Sequence, residues 1–152
     1  AGTYEISTGE LVVEPDPFHD GAFILNVNGV PSSHLIPDEP RSLEFEYMRW
    51  IAAAVENLAP GKRLLHLGGG GCSLPRYLAD LWPDSHNTVV ELDAKLAELI
   101  RELADIPSAP RVKIRAGEAR EVTEGFPPNR FDVIIRDVFA GDTTPKPLTT
   151  QE

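Results

Sequence analysis

The chain has 152 residues, 41% of them hydrophobic, which suits one domain with its own core or one domain plus a small appendage. A net charge of -10 argues against a nucleic acid or an anionic membrane as partner, and no apolar run approaches the ~20 residues that span a bilayer. Cys72 is the sole cysteine, so an intramolecular disulfide is excluded and a reducing, cytoplasmic compartment is expected.

Taken in chain order, Tyr4–Ser7, Leu11–Glu14 and Ala22–Val27 are short β-prone runs, punctuated by Thr8-Gly9, Asp16-Pro17, Asp20-Gly21 and Asn28-Gly29. Residues 1–40 therefore read as an antiparallel β segment. Asn28-Gly29 signals a tight hairpin because both residues tolerate positive φ, and Pro31 limits the strand that follows. So few strands do not stand alone, so this segment must pack on something.

From Leu43 the spacing turns helical. Leu43, Tyr47, Trp50, Ile51, Ala54 and Leu58 fall on one face, which places the two aromatic rings in the core, and Pro60-Gly61 stops the run. Strands and helices then alternate: strand Arg63–Leu67, helix Leu74–Trp82 with Ser73 as its cap, and strand Thr88–Leu92. A helix capped by Asp93 follows, with apolar face Leu96, Leu99, Ile100 and Leu103. Strands Arg111–Arg115 and Phe131–Arg136 come last, separated by the loop Phe126-Pro127-Pro128-Asn129. This alternation predicts an α/β, Rossmann-like domain over 41–152, with a parallel sheet and helices on both faces. Asp142–Glu152 is polar and proline-bearing, and no element follows the fourth parallel strand, so the domain reads as incomplete at its C-terminus.

The chemistry concentrates after the first parallel strand. Arg63–Leu67 runs into Gly68-Gly69-Gly70-Gly71, a helix follows, and Thr88–Leu92 carries Glu91 near its end. A strand, a glycine turn, a helix and a second strand ending in an acid form the βαβ unit that holds the adenosine half of a nucleotide-like cofactor. Glycines admit the ligand to the backbone, and the acid accepts hydrogen bonds from ribose hydroxyls. Asp93 competes for that role but reads better as a helix cap. His66, on a buried strand, reads as a satisfied core histidine, and Cys72 as a small residue in a tight turn. His19, His34 and His86 are scattered, so the spacing predicts no metal site. Arg136 on a central strand requires an acidic partner such as Asp132 or Asp137, or else marks a sheet edge.

Leu67-Gly68-Gly69-Gly70-Gly71, Val90-Glu91-Leu92-Asp93, Gly117-Glu118-Ala119 and Phe131-Asp132-Val133-Ile134-Ile135-Arg136-Asp137 follow one another after a β-rich start. In this order the chain resembles the spermidine synthases, aminopropyltransferases of polyamine biosynthesis built on the class I S-adenosylmethionine-dependent methyltransferase fold. The resemblance implies that Gly68, Gly69 and Gly70 wrap the methionine-derived part and ribose of the cofactor, and that Glu91 holds the ribose hydroxyls. It also implies that Glu118 and Ala119 face the adenine and that Asp137 is the catalytic base. The co-substrate would be decarboxylated S-adenosylmethionine or S-adenosylmethionine itself, without a metal, and the acceptor a small amine such as putrescine. A homodimer or higher oligomer is expected through the β-rich start. Gly71 stands where the family carries an aspartate that meets the aminopropyl tail, Ala140 where it carries a second aspartate, and Ser32 or Ser33 in the region of a glutamine. A methyltransferase and a non-catalytic binding or assembly module of the same fold therefore stay open beside the aminopropyltransferase.

Overall fold

A computed structural model describes residues 2–43, 45–57, 63–68, 72–104 and 106–136. Four antiparallel strands come first: β1 (Gly2–Ile6), β2 (Gly9–Pro15), β3 (Phe23–Val27) and β4 (Val30–Leu35), in spatial order β1-β2-β3-β4. The β3–β4 turn is two residues long, with Val27 opposite Val30. Asn28 and Gly29 both adopt left-handed φ, of 51° and 79°, the geometry that matches the twist of paired strands. Pro31 does not shorten β4, because β4 is the edge strand of this sheet and the register shifts between Leu25 and Asn26, beside the proline's partner. An edge or a bulge tolerates the missing N–H.

The second sheet is parallel. It comprises β5 (Arg63–Leu67), β6 (His86–Glu91), β7 (Val112–Ala116) and β8 (Val133–Arg136), ordered β7-β6-β5-β8. The chain thus starts in the middle, moves to one side, and returns to the other side of β5. Such a reversal opens a crevice at the carboxyl ends of the two strands beside it, here β5 and β8. Among the described residues β8 is an edge strand and Arg136 is exposed on it, which fits the sheet-edge reading of that arginine. Asp132 accepts a hydrogen bond from the Arg63 backbone at 3.0 Å, pinning the entry of β8 to that of β5.

Side-chain alternation divides the core across this sheet. Leu64 joins a cluster with Met48, Ala52 and Val55 of α1 (Glu46–Glu56) and Leu74 and Leu78 of α2 (Ser73–Leu81). Leu65, Leu67 and Val90 pack with Ala119 and Val122 of α4 (Ala119–Glu124), and with Phe126 and Phe131. A third cluster joins the two sheets. Ile6, Leu11, Val13, Leu25 and Leu35 of the antiparallel sheet pack with Val89, Val112 and the inner face of α3 (Ala94–Leu103), chiefly Leu96 and Ile100. Burying the one apolar face of the N-terminal sheet in this way gives four strands the support they lack alone.

Three sequence expectations change here. Helix α1 buries Met48, Ala52 and Val55, whereas Tyr47 is 39% and Trp50 67% exposed and Ala54 is exposed; Leu58 lies outside the described residues. The segment carries two interleaved apolar stripes, and the stripe of smaller side chains fits against α2 and β5. Ser73 does not cap α2. It is the first helical residue and donates its hydroxyl to the His34 carbonyl at 3.3 Å, while Cys72 takes the cap position with φ of 61°. Helix α4 occupies a stretch without an expected element, since its six residues, Ala-Arg-Glu-Val-Thr-Glu, are too few to show a period.

Candidate functional site

Gly68 closes β5 with φ of 81°, a conformation comfortable only for glycine, and its N–H donates to the Val90 carbonyl at 2.8 Å. The end of β5 is thereby stitched to the end of β6, where Glu91 stands. Glu91 accepts a hydrogen bond from the Asp93 N–H at 2.9 Å, which fixes the orientation of its carboxylate. A carboxylate offers about four lone-pair sites, so the Asp93 amide takes only part of its accepting capacity.

Asp93 behaves differently. Its side chain is buried and accepts from Leu96 N at 2.9 Å as the cap of α3, from Ser7 N at 3.0 Å, and from Thr8 N and Thr8 Oγ1 at 2.7 and 2.8 Å. Burial pushes this carboxyl up, but the hydrogen bonds from Leu96, Thr8 and Ser7 outweigh it and hold the group below the ordinary carboxylate value. Asp93 therefore clamps the β1–β2 turn to the head of α3, and its own N–H steadies Glu91.

Glu118 caps α4, with its two oxygens accepting from Arg120 N at 3.1 Å and Glu121 N at 2.9 Å; Ala119, beside it, is buried against the sheet. Their place is beyond the carboxyl end of β7, on the same rim as Gly68 and Glu91. Gly69, Gly70 and Asp137 lie outside the described residues, as does Gly71. Asp137 directly follows the last residue of β8 in sequence. The Cys72 thiol is buried and is pushed up to about 12, first by burial and then by the Glu91 charge, with Arg101 opposing. An ordinary helix N-terminus lowers a thiol pKa; here desolvation wins, and the group is no nucleophile at neutral pH.

His66 sits under this rim, fully buried, with Nε2 at 2.9 Å from Asn87 Oδ1. Asn87 passes the network on, donating to Ser85 Oγ and to the Arg111 carbonyl, both at 3.1 Å. Burial pushes the imidazole down to about 4 from 6.5, with the Asn87 hydrogen bond opposing. Between those two values the unfolded chain binds a proton that the folded chain refuses, so stability falls as pH drops through the window. Full development of the effect is worth about 3 kcal/mol, at ~1.4 kcal/mol per pH unit. Urea unfolding between pH 7 and pH 4.5 should show this decline, and His66→Asn should flatten it; an equal slope in the variant would remove His66 as its source.

No protein-family model matches the chain. In three dimensions it is similar to a probable spermidine synthase from Corynebacterium glutamicum, with a TM-score of 0.92 and 52% identity over 99% of this chain and 56% of that one. A polyamine aminopropyltransferase of Vibrio vulnificus is 28% identical over 116 residues, 75% of this chain and 39% of that protein. Human methyltransferase-like protein 13, solved in complex with SAH, aligns with a TM-score of 0.56 and 26% identity over 65% of this chain and 50% of its own. The chain spans about half the length of these relatives or less. Among the described residues no helix is long and apolar enough to cross a membrane. In fold the chain is Rossmann-like, of the class I methyltransferase type, and over the length it spans its sequence is spermidine synthase-like.

Proposed function

We propose that this protein binds an S-adenosyl co-substrate and transfers the aminopropyl group of decarboxylated S-adenosylmethionine to a small amine of the putrescine type. The observation that carries this reading is the 52% identity with a probable spermidine synthase over 99% of the chain. The rim geometry supports it, because Gly68 follows β5 at the point where strand order reverses and Glu91 ends the neighbouring strand β6, at the carboxyl rim where open parallel sheets take their ligands. In the proposal Gly68, Gly69 and Gly70 receive the ribose and methionine-derived part, Glu91 accepts from the ribose hydroxyls, and Glu118 with Ala119 borders the adenine. With its oxygens engaged by the α4 amides, Glu118 contributes shape at this rim more than a free carboxylate.

The amine nitrogen attacks the carbon next to the sulfonium, the carbon–sulfur bond breaks with its electrons going to sulfur, and methylthioadenosine leaves. An ammonium has no lone pair, so a base must first take its proton, and Asp137 is assigned that role. The proposal also treats residues 1–40 as an N-terminal β segment, 41–152 as the cofactor-binding domain, the cytoplasm as the compartment, and a homodimer or larger oligomer as the working form. Sedimentation at micromolar concentration reads the oligomer directly.

Calorimetry with decarboxylated S-adenosylmethionine, S-adenosylmethionine and methylthioadenosine tests the site. The decarboxylated form should bind more tightly than the carboxylated one, and Glu91→Ala should weaken adenosyl-ligand binding by ~1.5–3 kcal/mol, the worth of hydrogen bonds to a charged group. Unchanged affinity in a folded variant would remove Glu91 from the site. A second reading, methyl transfer from S-adenosylmethionine, is favoured by Gly71 in place of the family's aspartate and by the likeness to a methyltransferase solved with SAH. Preference for the carboxylated form would select it. Binding without turnover of any amine would select a non-catalytic module.

A further inference from the structure

We propose that Asp16, His19 and His34 form a binding site for a divalent metal of the zinc type, on the N-terminal sheet and independent of the S-adenosyl reading. Asp16 and His19 lie on the connection between β2 and β3 and His34 on β4, a spacing that shows no metal site; the fold gathers them. Asp16 leaves the end of β2 between Pro15 and Pro17, and its Oδ1 accepts from Phe18 N at 2.8 Å, so the connection turns at once. Two backbone bonds, Asp16 N to Ala22 O at 2.9 Å and Ala22 N to His19 O at 3.1 Å, close it and bring His19 back beside Asp16. His34 arrives from β4, where it pairs with Ile24 of β3.

The result is a compact set of two imidazoles and one carboxylate. His34 Nε2 lies 2.7 Å and His19 Nδ1 3.0 Å from the same oxygen, Asp16 Oδ2, and one ligand atom from each residue falls within 4.8 Å of the others. Four-coordinate zinc with bonds of about 2.0–2.1 Å needs its ligand atoms roughly 3.3 Å apart, so small side-chain rotations convert the cluster into three corners of a tetrahedron. The fourth corner would face water on the side of His19, whose ring is half exposed, whereas His34 is 6% exposed.

The donor chemistry fits as well. A nitrogen-rich set with one carboxylate suits zinc and neighbouring borderline cations, and disfavours calcium or magnesium, which take oxygen ligands.

The test titrates the whole protein, freed of metal, with Zn²⁺ by calorimetry and with Co²⁺ by visible absorption. One Zn²⁺ per chain and the d–d bands of tetrahedral Co²⁺ are expected. His19→Ala, at a half-exposed position that tolerates truncation, should weaken Zn²⁺ by at least about tenfold, the usual cost of disturbing a metal's ligand environment. His34→Asn should abolish the Co²⁺ bands, while His86→Ala should leave both signals intact. Absence of saturable Zn²⁺ binding, or equal binding in the His19→Ala variant, would overturn the proposal and leave the cluster as a hydrogen-bonded loop closure.

Discussion

Asp93→Ala is expected to destabilise the protein by about 3–5 kcal/mol, more than removal of an ordinary helix cap, because one carboxylate satisfies donors from both the β1–β2 turn and the head of α3. Leu96 N, Ser7 N, Thr8 N and Thr8 Oγ1 all point at it. Alanine keeps the backbone contact to Glu91 but strands up to four donors, the Leu96 N–H buried and those of Ser7 and Thr8 part-buried, and each donor orphaned away from water costs about 1–3 kcal/mol. The sum is capped because the β1–β2 turn can lift and admit water. Urea unfolding at pH 7 measures the loss, and a cost below about 1 kcal/mol, the level of a simple cap, would show that the turn is not clamped. Thr8→Val, which deletes only the hydroxyl donor, should account for a small part. The pH dependence has a definite sign: the folded carboxyl lies below its unfolded value of 3.8, so the clamp is fully formed above that value and is lost as pH falls through the folded one.

The same residue marks how far the sequence could be read. Its capping role was legible because an acid before an apolar helical face is a local signal, and so were the Asn28-Gly29 turn and the glycine that ends β5. Its grip on Ser7 and Thr8 was not legible, since 85 and 86 residues separate the partners and only the packing of β1 on α3 joins them. Helix α1 was legible as a helix but not in its rotation, because periodicity finds a stripe without saying which of two stripes the neighbours accept. Trp50 is the price of that ambiguity, large enough to suggest the core yet on the face turned to solvent. His19 and His34 show the limit most clearly. Metal-ligand spacing is a pattern along one element, whereas these rings converge through a loop closure and a strand register that no window contains. For the candidate site, Gly68 and Glu91 follow from strand ends, which sequence marks well; Glu118 comes from a family likeness, and its capping of α4 shows only in the fold.

Asp137→Asn is expected to leave adenosyl-ligand affinity within about twofold while aminopropyl transfer falls by ~10²–10⁴-fold, the worth of a positioned general base. Asparagine keeps the shape and an accepting oxygen but has no basic carboxylate, so the attacking amine stays protonated more of the time. The residue follows β8, which pairs in parallel with β5 so that Arg136 lies opposite Leu67, one residue before Gly68. That register brings the carboxyl ends of β5 and β8 to the same end of the sheet, and in the proposal a base following one strand and a cofactor loop following the other serve a single reaction. Methylthioadenosine release with putrescine or a longer diamine measures the rate, and calorimetry with methylthioadenosine measures the binding. Loss of both together would make Asp137 a binding or folding residue, and loss of neither would make it a turn residue with the base elsewhere. If the parent protein turns over no polyamine, Gly71 and Ala140 are the residues that separate it from the aminopropyltransferases, and restoring Gly71→Asp is the first substitution that should bring the decarboxylated co-substrate back.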